Sequence, residues 1–571
     1  MRARLPALGL CMGLAVLLVL LLDAHSRAGC TQCLPSLDMA DYLSRALRIR
    51  GAWLNEGLGG AWRELSTADV HPPGHPLLLA LWFGLGARGI AQACWLTTLE
   101  LGLALAALVG LGRALDRERG AWAGLLAAGM TVLSGEHQRL AAATMTEALA
   151  LCITTLALWA LAAHARDGGP KRALAAGVLI AAAGLVRYNI PPMLVAPALV
   201  AWTLDRLRRP RELLRIDPLL WVAPTALLLA GWWMVEPKLF VAIGRFLTNV
   251  DSGLDPWSAE NLLWTPRSFA EHYTLSDPLA ALWALAALLG LAAAWRPGAW
   301  KHAGEPSFSA VRLVQLFAIV GLVAITLHPY KLSRTLHGVV PFVYLVGALP
   351  LTRLPLPRSL LPRLGLLTAL IAALGYGVKE QRERLDEPDR LGRLECSDHP
   401  EAVEVLDELV RYAEGRRLIA LSGSASILSM PAAHLWLLLA DSETTVLEDP
   451  PTPPDCASLD EWPLPERCVG QAARSTLASP EMAAGDALVI TIEKTEGPGG
   501  AARGGRKGKD TRRKERIAPV GEHFSVQNAR VVAELAREAK LPPLAELTVT
   551  ARGGTLVTAR VVIYGREKPT P

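Results

Sequence analysis

The sequence predicts an α-helical polytopic membrane protein that carries a smaller α/β domain at its C-terminal end. Apolar residues make up 51% of the 571 residues, and charged residues make up only 19%. The low-charge stretches have lengths near the roughly 20 residues that a helix needs to cross the hydrocarbon core of a bilayer. Since only helices and closed barrels satisfy their backbone groups in lipid, these stretches indicate membrane-spanning helices.

About eleven segments of the chain fit this description. They are residues 5–22, 94–112, 121–135, 146–163, 173–188, 191–205, 218–234, 278–295, 311–328, 336–352 and 364–379. The first of them follows a basic start, Met1-Arg-Ala-Arg, and a cleavable signal peptide is an alternative interpretation of that segment.

The positions of Lys and Arg predict the orientation. If the N-terminus is cytoplasmic, the inner loops hold the basic segments 113–119, 166–172, 206–215 and 353–363, while the short outer loops near Arg139 and Arg187 carry one Arg each. This asymmetry follows the positive-inside rule. The long first loop, residues 23–93, and everything after about residue 380 are therefore expected outside. The net charge of +5 reflects this topology and gives no reason to expect nucleic acid as a partner.

Polar motifs in the first loop are the main functional signal. Asp38, Asp41 and Tyr42 lie in Leu37-Asp-Met-Ala-Asp-Tyr, and the segment His71-Pro-Pro-Gly-His75 follows. Carboxylates held outside the membrane against a hydrophobic bundle favour chemistry on a lipid-linked substrate. A helix is predicted at residues 39–49, so capping of that helix is an alternative role for Asp38, and for Asp41 a structural role is favoured.

A separate domain is predicted after the last apolar segment. Residues 381–399 form a charged linker, and residues 400–571 alternate between helical and extended patterns, which is typical of a small α/β domain. Helices are predicted at 400–414, 424–439 and 526–539, and strands at 417–421, 487–492, 547–551 and 555–564. The Gly-rich basic run 497–516 cannot bury a core and is predicted to be a disordered loop, with lipid headgroups as an alternative contact.

Cysteine and histidine spacing gives no support for a metal site. Cys30-Thr-Gln-Cys33 and the two histidines of the first loop supply the ligand types of zinc, but the segment between them is far longer than in zinc modules. A disulfide is favoured instead, between Cys30 and Cys33 or between Cys456 and Cys468. No cofactor is predicted.

The order of these features resembles the C-type (GT-C) membrane glycosyltransferases. The features are the acid-bearing first loop with Asp-x-x-x-Tyr, then His-Pro-Pro, an inner Arg-rich turn, and Met145-Thr-Glu147 opening a helix. The resemblance covers roughly residues 1–380. It points to the branch that contains the protein O-mannosyltransferases and the aminoarabinose transferase of lipid A. It implies a glycosyltransferase of the bacterial inner (plasma) membrane that moves a sugar from a polyprenyl-phosphate donor to a lipid, glycan or protein acceptor on the outer face. Inversion of the anomeric configuration is implied as well.

The resemblance also implies roles for particular residues. The family's key acid lies four residues before an aromatic residue, which carries over to Asp38 before Tyr42, as a general base for the acceptor hydroxyl. Where the family commonly has a second, adjacent acid this chain has Met39, so that only Asp41 is left as a substitute. This departure puts a two-carboxylate metal site in doubt. Glu147 matches the acid of the second outer loop, and pairing with the helix dipole is its alternative role.

Cations at the outer rim are implied for the donor phosphate. Arg187 resembles the family's basic residue at the end of the fifth span, and Lys331 and Arg334 lie in the last outer loop of the bundle. Their alternative role is to reach lipid headgroups from the ends of their helices. The segment His71-Pro-Pro-Gly-His75 resembles the family's His-Pro-Pro-Leu loop, which makes His71 and His75 candidates for the substrate loop. Gly74 and His75 depart from the family's pattern. Glu100 lies inside the second span, where an ionisable group is costly, and no role is assigned to it.

One alternative function stays open from the sequence. A non-enzymatic transporter or sensor of lipid-linked sugars would have the same architecture. Transporters are expected to show paired repeats and interrupted helices near the midplane of the membrane, and the sequence shows neither.

Overall fold

The structure is a computed structural model. It describes residues 34–35, 37–66, 72–87, 89–206, 217–235, 257–274, 277–295, 308–328, 333–353, 396–397, 400–414, 416, 418–423, 430–439, 445–448, 477, 484, 487–496, 532–550 and 557–566. The chain divides into two compact units. One contains Met1–Ala28 and Arg48–Arg390, and the other contains Gly29–Leu47 and Leu391–Pro571. The predicted spans 5–22 and 364–379, the basic run 497–516 and both predicted disulfides lie outside the described residues, as does most of the linker 381–399.

The first unit consists of helices, and the first of them, α1, begins in the second unit, which contains its residues up to Leu47. Their bounds are α1 Leu37–Leu65, α2 Gly74–Gly84, α3 Ile90–Leu115, α4 Gly120–Leu133, α5 Gly135–Ala142, α6 Thr146–Asp167, α7 Pro170–Val186, α8 Ile190–Arg206, α9 Asp217–Val235, α10 Ala259–Ser268, α11 Asp277–Trp295, α12 Phe308–Leu327 and α13 Val340–Leu351. A π-helical turn, Phe269–Tyr273, follows α10, and a 3₁₀ turn, Ser333–Leu336, precedes α13. Every predicted span that falls on described residues coincides with one of these helices.

Three helices among the described residues are long and apolar enough to cross a membrane: Gln92–Leu115, Thr146–Asp167 and Ala310–Leu327. Other apolar helices are shorter, such as Gly120–Leu133 and Val340–Leu351. The structure thus contains helices that are long and apolar enough to cross a membrane, while the total of about eleven spans stays a prediction.

Helix α1 is longer than the predicted helix at 39–49, and it contains a break. Gly57 has φ +70° and ψ −157°, a conformation in the left-handed half of the backbone map that side chains rarely adopt. The break separates a first segment, which carries Asp38 and Asp41, from a second that ends at Leu65. Since the helix begins at Leu37, Asp38 lies in its first turn rather than at the cap position left open by the sequence.

Small residues set the spacing between helices of the bundle. A β-carbon added to Gly124 of α4 would lie 2.6 Å from Cα of Val109, and one added to Gly177 of α7 would lie 2.1 Å from the carbonyl oxygen of Leu220. At both positions the backbones of two helices therefore touch directly, an arrangement that is common in membrane helix packing. The close α3–α4 and α7–α9 contacts depend on it.

Two segments far apart in sequence meet at the α3–α4 turn. Arg353, two residues after α13, donates two hydrogen bonds to Oδ2 of Asp116, at 3.2 Å from Nε and 2.7 Å from Nη2. Arg119 donates to the carbonyl oxygen of Thr352 at 3.1 Å. Partial burial of Asp116 would raise its pKa, but the hydrogen bonds from Arg353 and from backbone N–H groups outweigh burial, and the pKa lies below its usual value.

The second unit contains a mixed five-stranded sheet. Its strands are β3 Leu418–Gly423, β4 Thr445–Glu448, β5 Ala487–Glu496, β6 Pro543–Thr550 and β7 Val557–Gly565, in the order β4-β3-β5-β7-β6. Strand β3 is parallel to β4 and β5, and β7 is antiparallel to β5 and β6. A short pair of strands, β1 Leu34–Pro35 and β2 Cys396–Ser397, also belongs to this unit.

Helices of the second unit are Pro400–Ala413 (α14), Met430–Leu439 (α15) and residues 532–538 (α16). Val532 and Leu535 of α16 form an apolar cluster with Val489, Val562 and Tyr564 of the sheet. The strands predicted from the sequence all lie in this sheet, whereas β4 and the β1–β2 pair were not predicted.

Candidate active site

The candidate site lies where α6 begins and α7 ends. These two helices are consecutive and joined by a short turn at their other ends, so that the first turn of α6 and the last turn of α7 lie at the same end of the bundle. Glu147 occupies the first turn of α6, and Arg187 follows directly after α7. The sequence placed both residues among the candidates, and the structure brings them into contact.

Glu147 and Arg187 form an ion pair. Nη2 of Arg187 donates to Oε1 of Glu147, and Nε of Arg187 donates to the hydroxyl oxygen of Thr146 at 3.1 Å. A second guanidinium approaches the same carboxylate oxygen, because Nε of Arg334 lies 3.9 Å from Oε1 of Glu147. The 3₁₀ turn Ser333–Leu336 carries Arg334 to this position.

The exposure of these side chains is unequal. The Glu147 side chain is only 1% exposed, while Arg187 is 30% and Arg334 is 17% exposed. The carboxylate is therefore the buried anchor, and the two guanidiniums keep part of their surface available to a ligand. Such a pair of cations can bind an anion that carries several acceptor oxygens.

A second buried ion pair lies on the neighbouring helix α5. Arg139 donates to both carboxylate oxygens of Glu136, at 3.0 Å from Nε and 2.6 Å from Nη2. The polar segment between two apolar runs predicts that Glu136 and His137 are exposed loop residues, and this prediction is wrong, since Glu136 is buried and His137 has no exposed surface. The physical reason is that segment 135–142 forms a short helix and packs into the bundle.

Aromatic rings fill the space beside the two ion pairs. The His137 and His337 rings lie 4.3 Å apart, and the Tyr273 ring lies 5.2 Å from His137 in an edge-on arrangement. Burial raises the pKa of Tyr273 well above its usual value, with Glu136 adding to the rise and Arg139 opposing it. The Tyr273 hydroxyl therefore stays protonated, so that it is a neutral hydrogen-bond donor.

His137 is neutral in this environment. Burial lowers the pKa of His137 well below its usual value, and the neighbouring His337 lowers it further. Its Nδ1 lies 2.9 Å from the Ser134 hydroxyl and its Nε2 lies 3.3 Å from the carbonyl oxygen of His337. A neutral ring with Nε2 protonated satisfies both contacts, because Nε2–H donates to the carbonyl and Nδ1 accepts from the hydroxyl.

The other predicted site residues lie in α1 or outside the described part of the chain, except His75. Asp41 is half-buried in α1, and its carbonyl oxygen accepts a hydrogen bond from the Ser44 hydroxyl at 3.0 Å. Tyr42 is buried in the same helix. These two residues and Asp38 belong to the unit that contains Gly29–Leu47, whereas the ion-pair cluster belongs to the other unit. The side chain of Asp38 lies outside the described residues, as do His71 and Lys331.

His75 is also buried, but it takes part in a different contact. Its Nδ1 lies 3.7 Å from Oε1 of Glu100, a residue buried in the membrane-length helix α3. Within the described ranges, no three His, Cys, Asp or Glu side chains gather closely enough to hold a metal ion.

Sequence reasoning missed the inner part of the cluster, which comprises Glu136, His137, Arg139, Tyr273 and His337. A signal was present in the segment Gly135-Glu-His-Gln-Arg139. Its Glu and Arg are three residues apart, which is the spacing of an ion pair on one helical face, and it lies between two apolar spans. Tyr273 and His337 are distant in sequence, and only the folded chain brings them to this point.

Comparison with known proteins agrees with this architecture. A sequence profile of the dolichyl-phosphate-mannose-protein mannosyltransferases matches residues 70–234. The match includes α2 through α9 and therefore the Glu147–Arg187 pair. No match was found among curated proteins.

Solved structures share the fold over nearly the whole chain. The crystal structure of ArnT from Cupriavidus metallidurans bound to undecaprenyl phosphate matches with a TM-score of 0.58 and 13% identity, covering 98% of this chain and 99% of that one. The same protein in the apo state gives a TM-score of 0.55 at 13% identity, with 96% and 97% covered. The oligosaccharyltransferase of Archaeoglobus fulgidus, tethered with an acceptor peptide containing the NVT sequon via a disulfide bond, gives a TM-score of 0.50 at 11% identity, with 97% and 74% covered. The predicted resemblance to GT-C glycosyltransferases is confirmed, at the level of the fold.

Proposed function

We propose that this chain is a membrane glycosyltransferase that transfers a sugar from a polyprenyl-phosphate donor to a lipid, glycan or protein acceptor on the outer face of the membrane. The observation that carries the proposal is the convergence of Arg187 and Arg334 on the buried carboxylate of Glu147. Two partly exposed guanidiniums that meet at one point suit a phosphate group that arrives from the lipid phase. The match of residues 70–234 to the mannosyltransferase profile supports the same class of donor.

The reaction that this arrangement serves is a displacement at the anomeric carbon. The acceptor oxygen forms a bond to that carbon as the bond from the carbon to the phosphate oxygen breaks, and the polyprenyl phosphate leaves with the electron pair. Arg187 and Arg334 offset the charge that develops on the leaving phosphate. Lys331, three residues before Arg334, is proposed as a third cation of this group. Attack from the face opposite the phosphate inverts the anomeric configuration.

A carboxylate is still required to accept the proton of the acceptor hydroxyl. Asp38 is proposed for this role, with Tyr42 and the His71–His75 segment lining the substrate loop, and Asp41 as the substitute acid. Glu147 is less suited to be the base, because the two guanidiniums beside it stabilise its ionised form and so weaken its affinity for a proton. We therefore propose that Glu147 holds the two guanidiniums in place for the phosphate.

The donor site is tested by binding. Arg187→Ala and Arg334→Ala each remove a charge-assisted contact worth about 1.5 to 3 kcal/mol, so the affinity for undecaprenyl phosphate should fall by about one to two powers of ten. Purified protein in detergent is titrated with undecaprenyl phosphate, and thermal unfolding is followed in parallel. Product formation from labelled polyprenyl-phosphate sugars then tests the chemistry.

Arg172→Ala is the matched control. It removes an arginine at the opposite end of the same helix α7, where Arg172 is half-exposed and paired with Asp167 at 3.1 Å. Its affinity for undecaprenyl phosphate should be unchanged. If all three variants bind as the wild type does, the guanidiniums are not a donor site. If the wild type binds the donor but never yields a glycosylated product, the transporter or sensor alternative is favoured.

A further inference from the structure

The buried contact between Glu100 and His75, the last residue of the His71–His75 segment, has no part in the phosphate binding proposed above. Both side chains are at most 4% exposed, and Nδ1 of His75 lies 3.7 Å from Oε1 of Glu100. Glu100 is in the interior of α3, which is long and apolar enough to cross a membrane. A carboxyl group at such a position is costly, so it is retained where it has a partner and a task. His75 is the partner, and it belongs to the first turn of α2.

The start of α2 is held on a second side by a close backbone contact. A β-carbon added to Gly74 would lie 2.7 Å from the carbonyl oxygen of Leu185, 3.0 Å from its carbonyl carbon and 3.2 Å from Cγ2 of Val186. No residue except glycine fits there without displacing the backbone of α7. The adjacent residues Pro72 and Pro73 have a fixed φ, which stiffens the chain as it enters α2.

This second contact lies directly beside the donor site. Leu185 and Val186 form the last turn of α7, and Arg187 is the next residue. The backbone N–H of Arg187 still donates to the carbonyl oxygen of Ala183 at 2.8 Å, so the position of the helix end determines where the arginine side chain starts. The first turn of α2 thus lies between Glu100 on one side and the residues that carry Arg187 on the other.

We infer that the His75–Glu100 pair positions Arg187 for the donor phosphate by fixing the first turn of α2 against the end of α7. Glu100 and His75 are positioning residues in this scheme and do not touch the donor. The inference rests on the proposed function, because it needs Arg187 to bind the donor phosphate. It assigns a task to an acid in a membrane helix that the donor site itself does not use.

The test is a double-mutant cycle read out by donor binding. Glu100→Leu removes the pair while keeping an apolar side chain of similar size, and the affinity for undecaprenyl phosphate should fall by about three- to thirtyfold. Glu100→Gln keeps the size of the side chain and a polar group beside His75, so it should bind almost as the wild type does. In an Arg187→Ala background, Glu100→Leu should cause no further loss, since the residue through which it acts is gone.

Two further variants make the result specific. Gly74→Ala acts on the other contact of α2 and should give the same loss of affinity and the same lack of additivity with Arg187→Ala, so it serves if Glu100→Leu does not fold. Thr97→Val removes a buried hydroxyl one turn earlier in α3, whose partner is the Ala93 carbonyl of its own helix. This control should leave affinity unchanged.

The possible failures are distinct. If Arg187→Ala itself leaves the affinity unchanged, the donor-site proposal fails, and the positioning role fails with it. If Arg187→Ala weakens binding but Glu100→Leu and Gly74→Ala do not, or if their losses simply add to that of Arg187→Ala, the positioning role alone is overturned. Equal losses of affinity in Glu100→Gln and Glu100→Leu would also overturn it, because the affinity would then not depend on a polar contact between residue 100 and His75.

Discussion

At the scale of single residues, charge and burial separate the roles of the acids. Glu147 is buried and ion-paired with Arg187, while Asp41 is half-buried in another unit of the chain and contacts Ser44 through its backbone. An acid between guanidiniums holds those cations in place and is a weak base, because the cations stabilise its ionised form. This division leaves Asp38 as the candidate base, and its position in the first turn of α1 makes a dipole contact the competing explanation.

Asp38→Asn separates these two roles, because asparagine keeps the shape and a side-chain oxygen but cannot act as the base. As a general base, Asp38 contributes about two to four powers of ten in rate, so the variant should fold, reach the membrane and fail to transfer sugar. The measurement is product formation from a labelled polyprenyl-phosphate sugar, with donor binding as the second readout. Donor binding should be retained.

A first-turn dipole role predicts a different result. The variant would then lose only about 0.3 to 1 kcal/mol of stability and would keep its turnover. Near-normal turnover of a stable Asp38→Asn protein would remove Asp38 as the base. Asp41→Asn is the matched comparison, since Asp41 is in the same helix and contacts Ser44, and it should stay active if Asp38 is the base.

Some site residues could be predicted from the sequence and others could not. Glu147 and Arg187 stand at the ends of apolar runs, so that their meeting follows from the antiparallel order of two consecutive helices. Glu136 and His137 look like loop residues because a polar segment between two apolar runs is usually exposed, and their burial depends on how α5 packs. The His75–Glu100 contact joins two helices, and the sequence gives no local sign of it.

At the scale of helices and strands, the long apolar runs predicted the membrane helices, because a helix in lipid needs a long run of uncharged residues. Packing of these helices depends on glycines whose importance the sequence does not show. Gly124 and Gly129 lie in the same helix α4, yet a β-carbon would be 2.6 Å from Cα of Val109 at the first and would meet nothing within 4 Å at the second. Strand β4 escaped prediction because it has only four residues and lies at the edge of the sheet.

This contrast gives a paired prediction on stability. Gly124→Ala should destabilise the protein by about 1 to 3 kcal/mol, because the α3 backbone must move to admit the methyl group. Gly129→Ala should stabilise it by roughly 0.5 to 1 kcal/mol, because alanine favours the helix and the space is open. Thermal unfolding of both variants in one detergent makes the comparison, and equal effects of the two changes would contradict the direct backbone contact.

At the scale of the whole molecule, the unequal distribution of Lys and Arg predicts that the N-terminus is cytoplasmic and that the sheet-containing C-terminal part is outside. An alkaline phosphatase fused at about residue 400 should then be active in cells, since that enzyme needs the outer compartment. A cytoplasmic reporter at the same position is the control and should be silent. The opposite pattern would reverse the orientation and would put the candidate site on the inner side.

The contact between Asp116 and Arg353 has a consequence for the way the chain is made. Its partners are 237 residues apart, so Asp116 is synthesised and its neighbouring helices inserted long before Arg353 emerges from the ribosome. The Asp116 carboxylate is therefore held first by the backbone N–H groups of Glu118 and Arg119, within its own turn. Closing the long loop to Arg353 is a late step of assembly, and a chain interrupted before Arg353 lacks the contact that joins the end of α13 to this turn.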